Sequence, residues 1–185
     1  MDLKNEQELK KVIKGCKKED RKYQKLLFES LSGKMMVVCM RYSSDRETAN
    51  DMLQEGFIKL FKNLTKYRFE GSFDGWVRKI FFNTAMDHLK AKKRLKESFK
   101  EETDFPIFVE DGFDEELDST TLQEVKTEKI LQEIQDLPIS YRVCFNMKVF
   151  EGMTHQEIAE NLGIHVGTSK SNYYKAKKRL IKNLS

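Results

Sequence analysis

The chain has 185 residues, of which 39% are hydrophobic and 35% are charged, and its formal net charge is +4. That length allows one domain or two small ones, and the modest apolar content suits small helical cores. The longest apolar run, residues 35–40, is far too short to cross a bilayer, and the charged N-terminus lacks the apolar core of a signal peptide. We therefore predict a cytoplasmic protein without membrane insertion.

Charge is distributed unevenly along the chain. Residues 1–100 contain 24 Lys and Arg against 14 Asp and Glu, whereas residues 101–118 contain nine acidic residues and no basic one. Residues 119–185 are basic again, with ten Lys and Arg against seven Asp and Glu. Two basic bodies that flank an acidic connector favour a polyanionic partner for each body.

The residue patterns typical of enzymes and metal sites do not occur in this sequence. Cys16, Cys39 and Cys144 are odd in number, far apart and outside any C-x-x-C motif, and the three histidines have no metal-ligand spacing. There is also no Gly-rich phosphate loop, H-E-x-x-H motif or nucleophile elbow. We expect a binding protein without catalytic residues, cofactor or metal, in a reducing compartment.

Apolar residues recur with helical periodicity in nearly every segment, and only two prolines and nine glycines interrupt it. The sequence thus predicts an all-α protein of two small helical domains. The first domain, residues 1–96, is predicted to contain a helix or helical pair over 23–42 and helices over 47–64 and about 72–96. The predicted inward residues are Leu26, Leu27, Leu31, Met35, Val38, Cys39, Ala49, Met52, Leu53, Phe57, Leu60, Phe61, Leu64, Val77, Ile80, Phe81 and Leu89.

Residues 97–121 form the predicted acidic linker between the domains. They include Pro106 and Gly112 and also hold large apolar residues such as Phe105 and Phe113. This composition is typical either of a linker that docks on another surface or of a tether without a docking surface. Both interpretations stay open from the sequence.

The second domain, residues 122–185, is predicted to end in a helix-turn-helix. Helices are expected over 122–135 and from Leu137-Pro138 to Phe150, since proline suits a first helical turn. Thr154 and Glu157 have the spacing of a capping box, and Gly163 supplies the left-handed residue that commonly ends a helix. In the helix after that turn, the predicted inward residues are Ser169, Tyr173, Ala176 and Leu180, and the outward ones are Lys170, Ser171, Tyr174, Lys175 and Lys178.

That outward face could present cations, hydroxyls and an aromatic ring to a DNA major groove. The alternative is a helical hairpin whose Lys-rich face is only solvated.

Two faces of the first domain are candidate binding surfaces. Asp51, Gln54, Glu55 and Ile58 follow helical spacing, so they form a polar stripe with one apolar residue, which could contact a partner helix or could be a plain solvated face. The third helix carries a second stripe, formed by Trp76, Lys79, Asn83 and Lys90. Just before this stripe come aromatic and basic residues, namely Tyr67, Arg68, Phe69 and Phe73.

Aromatic rings interleaved with cations are typical of surfaces that bind single-stranded nucleic acid, because unstacked bases lie on the rings while the cations hold the backbone. The amide of Asn83 could also hydrogen-bond a base edge. The alternative is that Trp76 and Phe73 simply close the domain core.

These segments resemble those of bacterial RNA polymerase sigma factors of the extracytoplasmic-function (ECF) type. The run Asp51-Met-Leu-Gln-Glu-Gly-Phe-Ile-Lys-Leu resembles the family's D-x-x-Q-E-x-F segment. The run Phe73-Asp-Gly-Trp-Val-Arg-Lys-Ile-Phe-Phe-Asn resembles its F-x-x-W-L-x-x-I-A-x-N segment, and residues 137–180 resemble its C-terminal helix-turn-helix domain. The resemblance covers nearly the full length, although Ser169 stands where the family usually has Val.

The resemblance implies a partner for each surface. The first segment would dock on the clamp helices of the largest polymerase subunit through Asp51, Gln54, Glu55 and Ile58. The second would melt and read the minus-ten promoter element, including the melted non-template strand, through Lys59, Asn63, Tyr67, Phe73, Trp76, Lys79, Asn83 and Lys90. Among these, Asn83 would meet the duplex end of the element, and Lys59, Asn63, Tyr67 and the loop to Phe73 would line a pocket for a flipped base.

The helix-turn-helix would read the duplex minus-thirty-five element through Thr168, Lys170, Ser171, Tyr174, Lys175 and Lys178. The flap region of the polymerase and an anti-sigma factor are further partners that the resemblance implies. The sequence therefore predicts a dissociable initiation factor. Two other classes remain open, namely a transcription regulator that uses the helix-turn-helix on duplex DNA without directing polymerase, and a pure protein-interaction module.

Overall fold

The computed structural model describes residues 5–91 and 127–184, and all regular structure in these two ranges is helical. The predicted all-α class is therefore confirmed. The chain divides into two compact units, Met1–His88 and Leu89–Ser185. The predicted linker 97–121 and the predicted helical residues 92–96 and 122–126 lie outside the described residues.

In its described residues, the first unit is built from four helices and a short turn. They are α1 (Glu6–Lys17), α2 (Arg21–Tyr42), α3 (Arg46–Asn63), a 3-10 turn (Leu64–Lys66) and α4 (Phe73–Ala91), which continues three residues past the end of the unit. Side-chain oxygens of Asn5, Asp20 and Asp45 accept backbone N–H groups at the starts of α1, α2 and α3. These caps satisfy donors that have no partner within the helix, and so they fix where each helix begins. Residues 23–42 belong to a single helix.

The core of the first unit forms where α2, α3 and α4 pack together. Tyr42 and Phe81 are fully buried, and the ring of Phe57 meets that of Phe81 edge-on at 5.2 Å between centroids. Most predicted inward residues are buried, but Phe61 and Ile80 are only half-buried. The prediction for Leu26 was wrong, because its side chain is 37% exposed. It lies one helical step from the buried Leu27, on the outward side of α2.

The described part of the second unit, residues 127–184, contains four more helices. They are α5 (Thr127–Gln135), α6 (Ile139–Val149), α7 (His155–Leu162) and α8 (Val166–Leu184). Pro138 occupies the cap position of α6, one residue before its first helical residue, where its missing N–H leaves nothing unsatisfied. The core of the unit consists of Ile134, Leu137, Phe145, Ala176 and Leu180, which come from α5, the α5–α6 connection, α6 and α8.

Helices α7 and α8 form the predicted helix-turn-helix. The Thr154 N–H donates to Oε2 of Glu157 at 2.8 Å and the Glu157 N–H donates to Oγ1 of Thr154 at 3.2 Å, so the predicted capping box is confirmed. Gly163 adopts φ 67°, a left-handed conformation that glycine enters without steric cost. The chain then turns sharply enough for α8 to pack back on α7. No helix in the described ranges has both the length and the apolar character needed to span a bilayer.

Candidate functional site

The outward face of α3 carries the α3 stripe, defined as Asp51, Gln54, Glu55 and Ile58. Asp51 and Gln54 are exposed, Glu55 is half-buried, and the apolar side chain of Ile58 is 54% exposed. The opposite face of the helix is buried in the core through Met52, Leu53, Phe57 and Leu60. The structure therefore brings the four predicted residues together on one accessible surface, with an apolar residue beside the polar groups.

Glu55 lies at the centre of an ion-pair network that joins α3 to α4. Its Oε1 lies 2.8 Å from Nζ of Lys59, and its Oε2 lies 2.5 Å from Nε2 of His88. Nζ of Lys59 also lies 2.9 Å from Oδ2 of Asp87. The hydrogen bond from Lys59 is the largest reason why the pKa of Glu55 lies below its usual value, and the hydrogen bond from His88 acts in the same direction against partial desolvation.

Lys59 and Asn63 are also held by contacts within the protein. Desolvation by partial burial lowers the pKa of Lys59, but its hydrogen bonds to Glu55 and Asp87 outweigh this effect and the net shift is upward. Nδ2 of Asn63 donates to the backbone carbonyl of Lys59 at 2.8 Å. Both side chains are half-buried and engaged within the protein. No sequence pattern indicates these contacts, since Glu55 and His88 are 33 positions apart.

The aromatic loop, defined as residues 67–73, connects the 3-10 turn to α4 and folds around an aromatic cluster. The ring of Tyr67 lies 5.0 Å from that of Phe73 and 5.1 Å from that of Trp76, and its hydroxyl donates to the carbonyl of Gly71 at 3.1 Å. Tyr67 and Phe73 are both buried, and Trp76 is half-buried. Tyr67 and Phe73 therefore support the loop from beneath, and neither ring presents an open face for stacking.

Phe69 is the aromatic residue of the loop that reaches the surface. Its side chain is 37% exposed, its backbone has φ 62°, and its ring lies 5.0 Å from that of Tyr67. The ammonium of Lys10 from α1 lies 5.5 Å from its ring centroid. A left-handed conformation is uncommon for a bulky residue, so tertiary contacts must hold this loop in shape.

The outward face of α4 continues from the loop. Lys79, Asn83 and Lys90 are exposed along one side of the helix, and Trp76 stands at its start. On the other side, Val77 and Phe81 are fully buried. The predicted aromatic and basic stripe is thus separate from the core stripe, because the two sets project from opposite sides of the same helix.

The helix-turn-helix presents α8 as the candidate recognition helix. Lys170, Tyr174 and Lys178 are exposed, and Thr168, Ser171 and Lys175 are half-buried on the accessible part of the same helix. Nζ of Lys175 lies 5.5 Å from the centroid of the Tyr141 ring, which gives the ammonium a fixed cation–π contact. The inward side holds Ser169, Asn172, Ala176 and Leu180, all buried. Of the predicted inward residues, Ser169, Ala176 and Leu180 are buried and Tyr173 is half-buried, and Asn172 is buried although it was not among them.

A polar contact joins the two helices of this motif. Nδ1 of His155, in the first turn of α7, lies 2.9 Å from Oγ of the fully buried Ser169 in α8. The imidazole also meets the ring of Tyr173 edge-on, and Tyr173 stacks on Phe145. Sequence analysis missed this contact, for which the only signal is the polar Ser169 at a position predicted to face inward.

The described residues contain no group of three or more His, Cys, Asp or Glu side chains arranged to hold a metal ion. The three cysteines, Cys16, Cys39 and Cys144, are buried and form no disulfide. Desolvation by burial raises the pKa of Cys16 to about 11 and that of Cys39 to about 12. At neutral pH these two thiols are protonated and therefore poor nucleophiles.

Two family models match this chain. Residues 27–95 match the family model described as sigma-70 region 2, and residues 127–180 match the model described as sigma-70 region 4. The RNA polymerase sigma-H factor of Pseudomonas aeruginosa is 28% identical over 177 residues, which cover 94% of this chain and 92% of that protein. The ECF RNA polymerase sigma-E factor of Haemophilus influenzae is 26% identical over 180 residues and 91% of each chain.

Among solved structures, the sigma factor RpoE of Bartonella quintana, crystallised with the anti-sigma factor NepR, has a TM-score of 0.49 and 16% identity over 85% of this chain and 94% of that one. The two family models match in the order of the two helical units, and the matched residues include all of α3, α4 and α7 and α8 as far as Leu180. The chain therefore belongs to the RNA polymerase sigma factors of the ECF type.

Proposed function

We propose that each surface described above performs one step of promoter recognition. As a sigma factor, the protein binds core RNA polymerase, recognises promoter minus-thirty-five and minus-ten elements and promotes DNA melting at the start of transcription. The α3 stripe is the proposed contact with the clamp helices of the largest polymerase subunit. One observation carries this assignment: the polar residues surround an exposed apolar side chain, Ile58, as expected for a protein-binding face.

The aromatic loop and the outward face of α4 are the proposed reader of the minus-ten element. Trp76, Lys79, Asn83 and Lys90 offer an aromatic ring, cations and an amide on one accessible side of α4. A base that leaves the duplex would be held between this face and the loop, with Lys59 and Asn63 at its edge. Tyr67 and Phe73 would act from beneath, because their burial lets them fix the loop shape before DNA binds.

Melting then follows from differential binding and needs no catalytic group. Unstacking a base costs a few kcal/mol, and each base that stacks on an aromatic side chain regains roughly 1–3 kcal/mol. Surfaces that fit only the opened strand shift the equilibrium toward the open state. Sigma factors are non-enzymatic initiation factors, and we infer that this chain likewise leaves the chemistry to the polymerase.

The recognition helix α8 is the proposed reader of the minus-thirty-five element. Lys170, Tyr174 and Lys178 lie on its exposed face, and Thr168, Ser171 and Lys175 flank them. Lysines at such positions bind phosphates, while hydroxyls and the phenol can hydrogen-bond base edges. We further propose the polymerase flap region as a contact of this unit, an anti-sigma factor as an inhibitory partner, and the cytoplasm, where polymerase and chromosome are found, as the location.

Transcription in vitro tests the proposal. Purified protein is added to core polymerase and a library of promoter fragments, and starts are mapped; failure to bind core or to support any start would refute it. Binding to duplex fragments without any start would instead identify a regulator that does not direct polymerase. Trp76→Ala separates the steps within this assay. It should reduce open-complex formation, followed by permanganate reactivity of unpaired thymines, more than it reduces core binding.

A further inference from the structure

Contacts within the chain itself hold the carboxylate of Glu55 in place. Lys59, one turn along α3, bonds one of its oxygens, and His88, from α4, bonds the other, at 2.8 and 2.5 Å. Lys59 is itself tied to α4 through Asp87 at 2.9 Å. Two helices therefore fix both the position and the rotation of this carboxylate, while Asp51 and Gln54 of the same stripe are exposed without any such network among the described contacts.

Hydrogen-bond chemistry defines the role of the imidazole. Because the pKa of Glu55 is lowered, mainly by the hydrogen bond from Lys59, the carboxylate is ionised at neutral pH and can only accept. Nε2 of His88 must therefore carry a hydrogen, and it donates the hydrogen bond that Oε2 of Glu55 accepts. Each carboxylate oxygen has a second lone pair, and the Glu55 side chain is 40% exposed. The held carboxylate thus keeps acceptor capacity for a donor on a partner.

Burial distinguishes this pair from an ordinary surface ion pair. The His88 side chain is only 23% exposed, whereas exposed pairs such as Lys25–Glu29 leave 76% and 58% of the two side chains exposed. A partly buried imidazole with one hydrogen-bond partner has few alternative rotamers. It therefore restricts Glu55 more firmly than a long, solvated lysine side chain would.

We propose that His88 is a positioning residue for polymerase docking, which acts by holding the Glu55 carboxylate in its binding geometry. This inference rests on the proposed docking role of the α3 stripe. Ordering a long side chain at an interface opposes binding, and a side chain already ordered in the free protein avoids that loss. Loss of the His88 hydrogen bond should therefore weaken core binding by roughly three- to tenfold.

The test is a double-mutant cycle on the full-length chain, with dissociation constants for core polymerase measured for the wild type, Glu55→Ala, His88→Ala and the double variant. Positioning predicts that His88→Ala weakens binding in the wild-type background and has no further effect once Glu55 is alanine. His88→Gln, which can still donate a hydrogen bond, should retain most of the affinity. Thermal unfolding of each variant shows that the compared proteins are folded.

Lys34→Ala is the matched control, because Lys34 forms another interhelical ion pair of this unit, with Asp74 at 3.4 Å, and this pair includes no residue of the α3 stripe. Its core affinity should equal that of the wild type. An equal loss from His88→Ala in both backgrounds, or none in either, would overturn the positioning role while leaving the docking proposal intact. No effect of Glu55→Ala would overturn the docking role of Glu55 and this inference with it.

Discussion

Gly56 of α3 faces the ring of Phe81 in α4 so closely that a Cβ at this position would overlap Cε1 and Cδ1 of that ring. Phe81 is fully buried and also contacts Phe57 edge-on, so the ring has little room to move. The glycine directly follows the Gln54 and Glu55 of the α3 stripe. The packing of α3 against α4 thus depends on the absence of a side chain at position 56.

Gly56→Ala should lower the free energy of unfolding by about 1–3 kcal/mol, because overpacking in a filled core forces rings and backbone apart. Gly33→Ala is the matched control, since Gly33 also lies within a helix and a Cβ there would meet nothing within 4 Å. It should stabilise the protein by roughly 0.5–1 kcal/mol. Denaturant unfolding followed by circular dichroism measures both. Equal shifts in the two variants would contradict the packing argument.

Gly163→Ala should destabilise the helix-turn-helix. Gly163 has φ 67°, and an L-residue in the left-handed region costs about 1–2 kcal/mol relative to glycine. Gly167→Ala, in the first turn of α8, is the comparison, because a Cβ there meets no atom within 4 Å and the backbone has no positive φ. Thermal unfolding should show a lower Tm only for the Gly163 variant. A matching loss at Gly167 would show that α8 tolerates no added side chain, whatever the turn.

Lys175→Ala should make duplex DNA binding less dependent on salt. If its ammonium neutralises one phosphate, the slope of log K against log salt should fall in magnitude by about 1. Lys182→Ala, in the last turn of α8, removes the same charge outside the proposed DNA-contacting residues and should leave the slope unchanged. Fluorescence anisotropy measures the DNA-binding constant at several salt concentrations between roughly 50 and 300 mM, and these constants provide the slopes. Equal slopes for Lys175→Ala and the wild type would exclude the phosphate contact.

Stability in acid should depend on Glu55. The pKa of this carboxyl is lowered in the folded protein, so the stability that it contributes is present above its unfolded pKa and is lost as pH falls through the folded value. The difference in unfolding free energy between the wild type and Glu55→Gln should therefore be largest near neutral pH and shrink below about pH 4.5. Unfolding curves at several pH values measure it. A difference that grows toward acid pH would contradict the sign of the pKa shift.

Several features were predictable because they depend on residues only three or four positions apart. Thr154 and Glu157 form their capping box within one turn, and Gly163 supplies a conformation that most residues avoid. The inward stripes of α3 and α8 follow from helical periodicity alone. The boundaries were close for the same reason, since Asp45 and Thr154 cap α3 and α7 locally.

Other features were not predictable, because partners far apart in sequence decide them. Tyr67 and Phe73 resemble stacking residues in the sequence, yet the turn before α4 buries both against Trp76. Leu26 is a different case, because it lies on the outward side of α2, one helical step from the buried Leu27. Helical periodicity within α2 therefore already separates it from the core residues.

The sequence by itself determined that this chain is helical and that it has two basic bodies, because helical periodicity and charge depend only on the order of the residues. Its segments at 51–60, 73–83 and 137–180 also resemble those of ECF sigma factors, in the family's order. Only the tertiary structure decided which residues of each segment remain accessible. It brings His88 to Glu55 and His155 to Ser169 across different helices, because side-chain pairs of this kind form only after apolar packing has fixed the helices side by side.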